Sequence, residues 1–231
     1  MNPTYRIIFF TVSSNAGYGL LALLGLVGNA HGKASSLAFG LTAMAVGLAL
    51  ITVGLFSLLQ PRSPWLSRAN VAAVITYLIA LGFGCVWCGL IDAPALIGPL
   101  GILTAITCAL TVFYTAKSNG SLKTIPASLA FALATGSGLL NAISFIFGRF
   151  QTDAGKFMAF LTVVLILIVI ALKWFDRGND NKKLRLIMFA LLAVALLLIL
   201  LSLIVPWLTL IVALLILTAA GIDRWLFLAQ G

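Results

Sequence analysis

Long apolar runs alternate along the chain with short polar breaks, and the runs recur at nearly constant length. A helix needs about 20 apolar residues to cross the hydrocarbon core of a bilayer. By that ruler the sequence predicts spans at roughly 5–28, 35–59, 71–91, 95–116, 126–148, 155–175, 184–205 and 207–228. Only Pro206 and Trp207 divide the last two, which demands a tight hairpin and leaves a count of seven open. Pro94 and Pro99 predict a broken first turn in the fourth span. The expected fold class is an all-α integral membrane bundle of about eight transmembrane helices, with 1–231 forming a single polytopic membrane domain. Ser13, Ser14, Asn15 and Gly17 interrupt the first run, so it does not read as the apolar region of a cleavable signal peptide.

Small residues gather inside particular spans: Ala16, Gly17 and Gly19 with Gly25 and Gly28; Gly82 with Gly84; and Thr135-Gly136-Ser137-Gly138. Such positions let membrane helices approach closely. Tyr18, a polar aromatic among glycines, either packs in that core or faces an interior cleft. Spans six and seven are rich in Leu, Ile and Val, which suits lipid-facing helices and puts the working half among the first five.

Composition excludes a soluble domain. The chain is 62% hydrophobic and 8% charged, with a mean hydropathy of +1.19; soluble domains carry about 25% charge. The acids are Asp92, Asp153, Asp176, Asp180 and Asp223, with no glutamate, against 14 Lys and Arg, for a net charge of +9. In water such a surplus would suggest nucleic acid. Here the basic residues lie in loops and read as positive-inside residues facing anionic headgroups, so no nucleic-acid partner is expected.

One side of the membrane holds Arg6, Arg62, Arg68, Lys117, Lys123, Lys173, Arg177, Lys182, Lys183, Arg185 and Arg224; the other holds Lys33, Arg149 and Lys156. That asymmetry predicts both termini to be cytoplasmic. Lys173 to Arg185 reads as one hydrated, headgroup-facing loop.

Redox ligands are scarce. His31 is the single histidine, where a haem between helices takes two, and Cys85, Cys88 and Cys108 are too few for a four-thiolate cluster. Cys85 and Cys88 have CxxC spacing, but without a second pair they read as embedded residues rather than a metal or redox site. No bound haem, iron–sulfur cluster or metal is expected, and any redox cofactor must come from outside.

The polar stretch Gln60 to Asn70, QPRSPWLSRAN, lies between two apolar runs and must sit at a membrane surface. It is read either as the place where a lipid-soluble substrate meets a water-soluble partner, or as a structural turn with basic anchors.

Four stretches, spread in order over nearly the whole chain, carry a resemblance. They are Asn2-Pro3 with Ile8-Phe9-Phe10-Thr11 and Gly17-Tyr18-Gly19-Leu20-Leu21; Ser63-Pro64-Trp65-Leu66-Ser67-Arg68; Leu122-Lys123-Thr124-Ile125-Pro126; and Arg224-Trp225-Leu226-Phe227. Together they are similar to the membrane anchor subunits of the dimethyl sulfoxide reductase family, including anchors of cytoplasmic sulfite-oxidising molybdoenzyme complexes. The resemblance implies a haem-free, eight-helix subunit in the bacterial inner (plasma) membrane. It implies as partners an iron–sulfur subunit and a molybdopterin catalytic subunit, with quinone or quinol as the exchangeable substrate. The chain departs from the family at Ala69, where a glutamate is common, and at Gln230, often acidic. The loop ahead of Trp65 is also shorter than usual.

A quinone site needs hydrogen-bonding partners for two carbonyls, a slot for the ring and a proton route. Trp65 offers an aromatic wall and an indole donor, or is an interfacial belt residue. Ser67 and Asn70 offer hydrogen bonds. Arg68 is placed to stabilise negative charge on a reduced quinone oxygen, or anchors at the headgroups. Lys123 and Arg224 share that face, and Asp223 is the acid within a span near it, which makes it the candidate proton acceptor. The expected catalytic residues are therefore Arg68 and Asp223, and the quinone-binding set is Trp65, Ser67, Arg68, Asn70, Lys123, Arg224 and Tyr18. A pure anchor without quinone chemistry and a small secondary transporter stay open beside this reading.

Overall fold

A computed structural model describes residues 3–31, 34, 36–55, 64–118, 124–175 and 181–228. The described residues form eight α-helices and one 3₁₀ turn: α1 (Pro3–His31), α2 (Leu37–Leu55), α3 (Pro64–Trp87), the turn Pro94–Leu96, α4 (Ile97–Ser118), α5 (Ile125–Ile146), α6 (Asp153–Phe175), α7 (Lys182–Ser202) and α8 (Leu208–Leu228). Among these residues there is no strand, and eight helices are long and apolar enough to cross a membrane.

The hairpin between α7 and α8 forms within five residues. Leu203, Ile204 and Val205 donate back to Leu200 and Leu201, and the Thr209 hydroxyl bonds the Pro206 carbonyl at 2.8 Å. Those bonds satisfy the backbone at the turn and allow two spans where seven in all had stayed open. The expected break at the fourth span is the 3₁₀ turn, with Pro94 supplying its preset φ and α4 starting only at Ile97.

Several boundaries differ from the sequence reading. Pro64 begins α3, so the second half of the polar stretch is helical rather than loop; a proline in the first turn loses no hydrogen bond there and presets φ. At the other end α3 stops at Trp87 because Gly89 takes φ 77°. Leu90 N–H then donates to the Cys85 carbonyl and Gly89 N–H to Val86, a Schellman closure. Gly148, at φ 65°, ends α5 the same way, with Arg149 N–H on Ser144 and Gly148 N–H on Phe145. Helix α1 also runs through His31, whose side chain lies outside the described residues.

Helix α5 is the centre of the bundle, with 72% of its span buried against 22% for α7. Its inward positions are Ala, Gly, Ser and Thr, so helices close in on it from several sides. A Cβ at Gly19 would overlap the Ala132 carbonyl, and one at Gly136 would overlap the Gly19 backbone, so α1 and α5 meet backbone to backbone. Gly25 and Gly101 bring α1 against α4 in the same way. One apolar core, containing Leu20, Phe83 and Trp87, fills α1 to α5; a second, containing Ile166, Leu192 and Ile216, fills α5 to α8. Helix α7 is peripheral, as its Leu-rich sequence predicts. Helix α6 packs on α5 and brings a charged side chain inward, which the assignment of the working half to five spans did not include.

Candidate functional site

The chain direction puts the starts of α1, α3, α5 and α7 and the ends of α2, α4, α6 and α8 at one end of the bundle. Two concavities open there; Arg68 borders one, and Asp223 and Arg224 border the other.

The first is a crevice of about 370 Å³ between α3 and α4, lined by Arg68, Val71, Ala72, Ile75, Thr107, Leu110 and Tyr114. Residues 68, 71, 72 and 75 form one helical face, while Ala69, Ala73, Thr76 and Ala80 form the buried face beside it. Val71, Ile75 and Leu110 are about half exposed, so the crevice opens sideways, toward hydrocarbon in a bilayer. The walls are fixed from behind by a buried hydrogen bond between the Thr76 and Thr111 hydroxyls, 2.9 Å apart. Thr104, Thr107, Thr111, Thr115 and Ser118 follow one face of α4, each hydroxyl returned to a carbonyl three or four residues back. Arg68 and Tyr114 stand at the surface end of the slot, whose other lining is Val71, Ala72, Ile75, Thr107 and Leu110.

The second is a recess of about 40 Å³ among α1, α5, α6 and α8, lined by Asn15, Ser128, Lys173, Asp223 and Arg224 among others. Lys173 Nζ meets Asp223 Oδ1 at 2.6 Å, both side chains being largely buried. This corrects the placement of Lys173 in a hydrated loop: it sits in the last turn of α6, and its ammonium reaches a carboxylate at its own depth instead of water. Arg185 also departs from a headgroup role, because its guanidinium caps α6 at the Lys173 carbonyl. Asp223 and Arg224, adjacent on α8, both border the recess. Arg224 lies over the Phe227 ring at 5.0 Å. Its Nε and Nη2, and the Asn15 Oδ1, are buried and have no hydrogen-bond partner among the described residues.

Helices α3 and α8 make no contact among the described residues, so Arg68 and Asp223 do not share a site. Trp65 and Ser67 sit on the first turn of α3, one turn or less from Arg68, with side chains outside the described residues. Asn70 is half-buried and does not line the crevice. Lys123 lies outside the described residues. Tyr18 is buried beside a third, apolar cleft of about 190 Å³ among α1, α4 and α5, with Cys108 and Val112. Asp92 is exposed in the turn before Pro94 at the opposite end.

All three cysteines are free. Just beyond α3, burial and then the neighbouring Cys85 push the Cys88 thiol up, toward the inert protonated form. Among the described residues no three His, Cys or acidic side chains gather as metal ligands.

Sequence reasoning missed Tyr114, Thr107, Lys173 and Asn15. The three-and-four spacing of hydroxyls along α4, and a lysine and an aspartate at matched depth in spans six and eight, were the available signals. No family model, curated protein or solved structure matches the chain.

Proposed function

We propose that this chain is the membrane anchor and quinone-reactive subunit of a molybdopterin oxidoreductase complex of the dimethyl sulfoxide reductase or sulfite dehydrogenase type. It exchanges electrons between the quinone pool and a partner iron–sulfur subunit, in a bacterial inner membrane with both termini cytoplasmic. The observation that carries the reading is the crevice between α3 and α4, within the size range of small-molecule sites, open to lipid and mostly apolar, with Arg68 and Tyr114 at its surface end. A quinone ring slides between Val71, Ile75 and Leu110 from the hydrocarbon side, its tail remaining in lipid. One carbonyl oxygen then approaches Arg68 and the Tyr114 hydroxyl, whose donors favour the charge that grows on that oxygen as electrons arrive. The redox groups belong to the partner subunits, which dock on the basic end of the bundle, and the quinone lies between them and the bilayer.

A second reading, an anchor without quinone chemistry, draws on Ala69. That position is fully buried on the α3 face beside the crevice, and no carboxylate lines the crevice among the described residues. Both readings are tested by purifying the tagged chain in gentle detergent, identifying co-purifying proteins, molybdenum and iron, and titrating a short-tailed quinone. For the quinone reading, Arg68→Gln keeps the partners but weakens quinone binding roughly 10- to 100-fold, the loss of one charged hydrogen bond. Partners without saturable quinone binding establish the pure anchor. A metal-free chain with no partners, from membranes that contain the candidate subunits, overturns both.

A further inference from the structure

We propose that the recess among α1, α5, α6 and α8 is a binding site for a single phosphate group, delivered by a phospholipid headgroup or as free phosphate. Among the described residues lining the recess, Lys173 and Arg224 are cationic and Asp223 is anionic, which leaves one surplus positive charge at the end of an apolar bundle. Burying such a charge without a partner is costly. Lys173 holds Asp223 Oδ1 at 2.6 Å and the same carboxylate also acts on Arg224, so one anion serves two cations.

The geometry of the remaining cation is more informative than its charge. The two Arg224 nitrogens without a hydrogen-bond partner are Nε and Nη2, which together form one edge of the guanidinium. That edge presents two parallel N–H donors, the fork that matches two oxygens of a phosphate. The Phe227 ring, 5.0 Å from Cζ, braces the plane of the fork. Helix α5 begins at the recess, with Thr124 as N-cap and Ser128 on its first turns. Its positive end adds to the attraction. Asn15 Oδ1, also buried without a hydrogen-bond partner among the described residues, supplies an acceptor for the hydroxyl or ammonium that accompanies the phosphate. Arg224 lies in the last two turns of α8 and Lys173 in the last turn of α6, the depth at which headgroup phosphates lie. The crevice at Arg68 plays no part, so this site stands independently of the quinone reading.

The test uses the full chain, stripped of lipid in mild non-ionic detergent and melted while its tryptophan fluorescence is followed. Three probes are added at matched ionic strength: inorganic phosphate, dihexanoyl phosphatidylglycerol and potassium chloride. A saturable rise in melting temperature with the lipid alone assigns the headgroup source; a rise with both phosphate probes assigns the phosphate itself; chloride has no such effect. Arg224→Lys keeps the charge but removes the fork, and weakens binding roughly tenfold. Asp223→Asn removes the competing anion, and tightens binding roughly threefold or more. The proposal is overturned if neither phosphate probe exceeds chloride, if Arg224→Lys binds like the parent, or if Asp223→Asn weakens binding. Should Arg224→Lys fail to fold, the direction of the Asp223→Asn effect decides.

Discussion

The crevice at Arg68 and the recess at Arg224 open at the same end of the bundle, yet they are built by opposite means. In the crevice the arginine is exposed and stands above an apolar slot nearly tenfold larger than the recess, about 370 Å³ against about 40 Å³. In the recess the arginine is enclosed, braced by an aromatic ring and set beside an ion pair. An open slot with one charge at its rim admits a flat apolar molecule from the side and lets it leave. An enclosed fork with buried donors selects a small charged group and holds it. The two arginines therefore teach that position near a membrane surface says little about role; what surrounds the guanidinium decides it.

The comparison breaks most severely if α1 and α5 are forced apart, because both helices line the recess and neither lines the crevice. Gly19→Ala sets a methyl into the Ala132 carbonyl, where no flexible side chain can give way. Its expected cost is at or above the usual 1–3 kcal/mol of overpacking, about 3 kcal/mol or more, read as a large fall in melting temperature. The proposed quinone site is expected to change less than stability does, since α1 touches α4 at Gly25 and Gly101 but does not line the crevice.

Lys173→Gln comes next. It removes the 2.6 Å partner of Asp223, and because both members of the pair retain some exposure and Arg224 remains beside the carboxylate, the expected loss is about 2 kcal/mol, below that of a fully buried pair. Thermal unfolding measures the loss, and quinone affinity stays unchanged. Breaking the wall of the crevice reverses the pattern. Thr76→Val leaves the Thr111 hydroxyl without its cross-helix partner and costs about 1–2 kcal/mol, whereas the Thr76→Val, Thr111→Val pair recovers most of it. A double-mutant cycle read alongside quinone titration separates wall stability from binding. The smallest effect belongs to Gly82→Ala on α3, where a Cβ meets nothing within 4 Å. Helix propensity alone predicts a gain of up to about 1 kcal/mol there, with neither binding site altered.

Much of the fold was legible because apolar runs of bilayer length have few other uses, and all eight helices fall on the expected runs. The shifts came where local backbone chemistry outranked hydropathy: Pro64 extending α3 backward, Gly89 and Gly148 ending helices inside apolar sequence. The site was legible only in part. Arg68, Asp223 and Arg224 stand out in a chain with so few charges, and each borders a concavity. Their division between two concavities was not legible, because which helix neighbours which depends on glycine contacts such as Gly19 with Ala132, invisible to a reading of one span at a time. Lys173 was misplaced for a related reason. A lysine in the last turn of a span can reach outward or inward with equal ease, and Asp223, some fifty residues further on, decides the direction.

The backbone contact between α1 and α5 also bears on how the protein is made. Gly19 leaves the ribosome more than 100 residues before its partner Gly136, and at about 5–20 residues per second the wait is on the order of 10 s. During that time α1 carries a bare glycine face that neither α2 nor α3 can cover as α5 does. Closure of the contact between α1 and α5 therefore waits on the fifth helix, and Gly19 lacks the backbone of Ala132 against it until then.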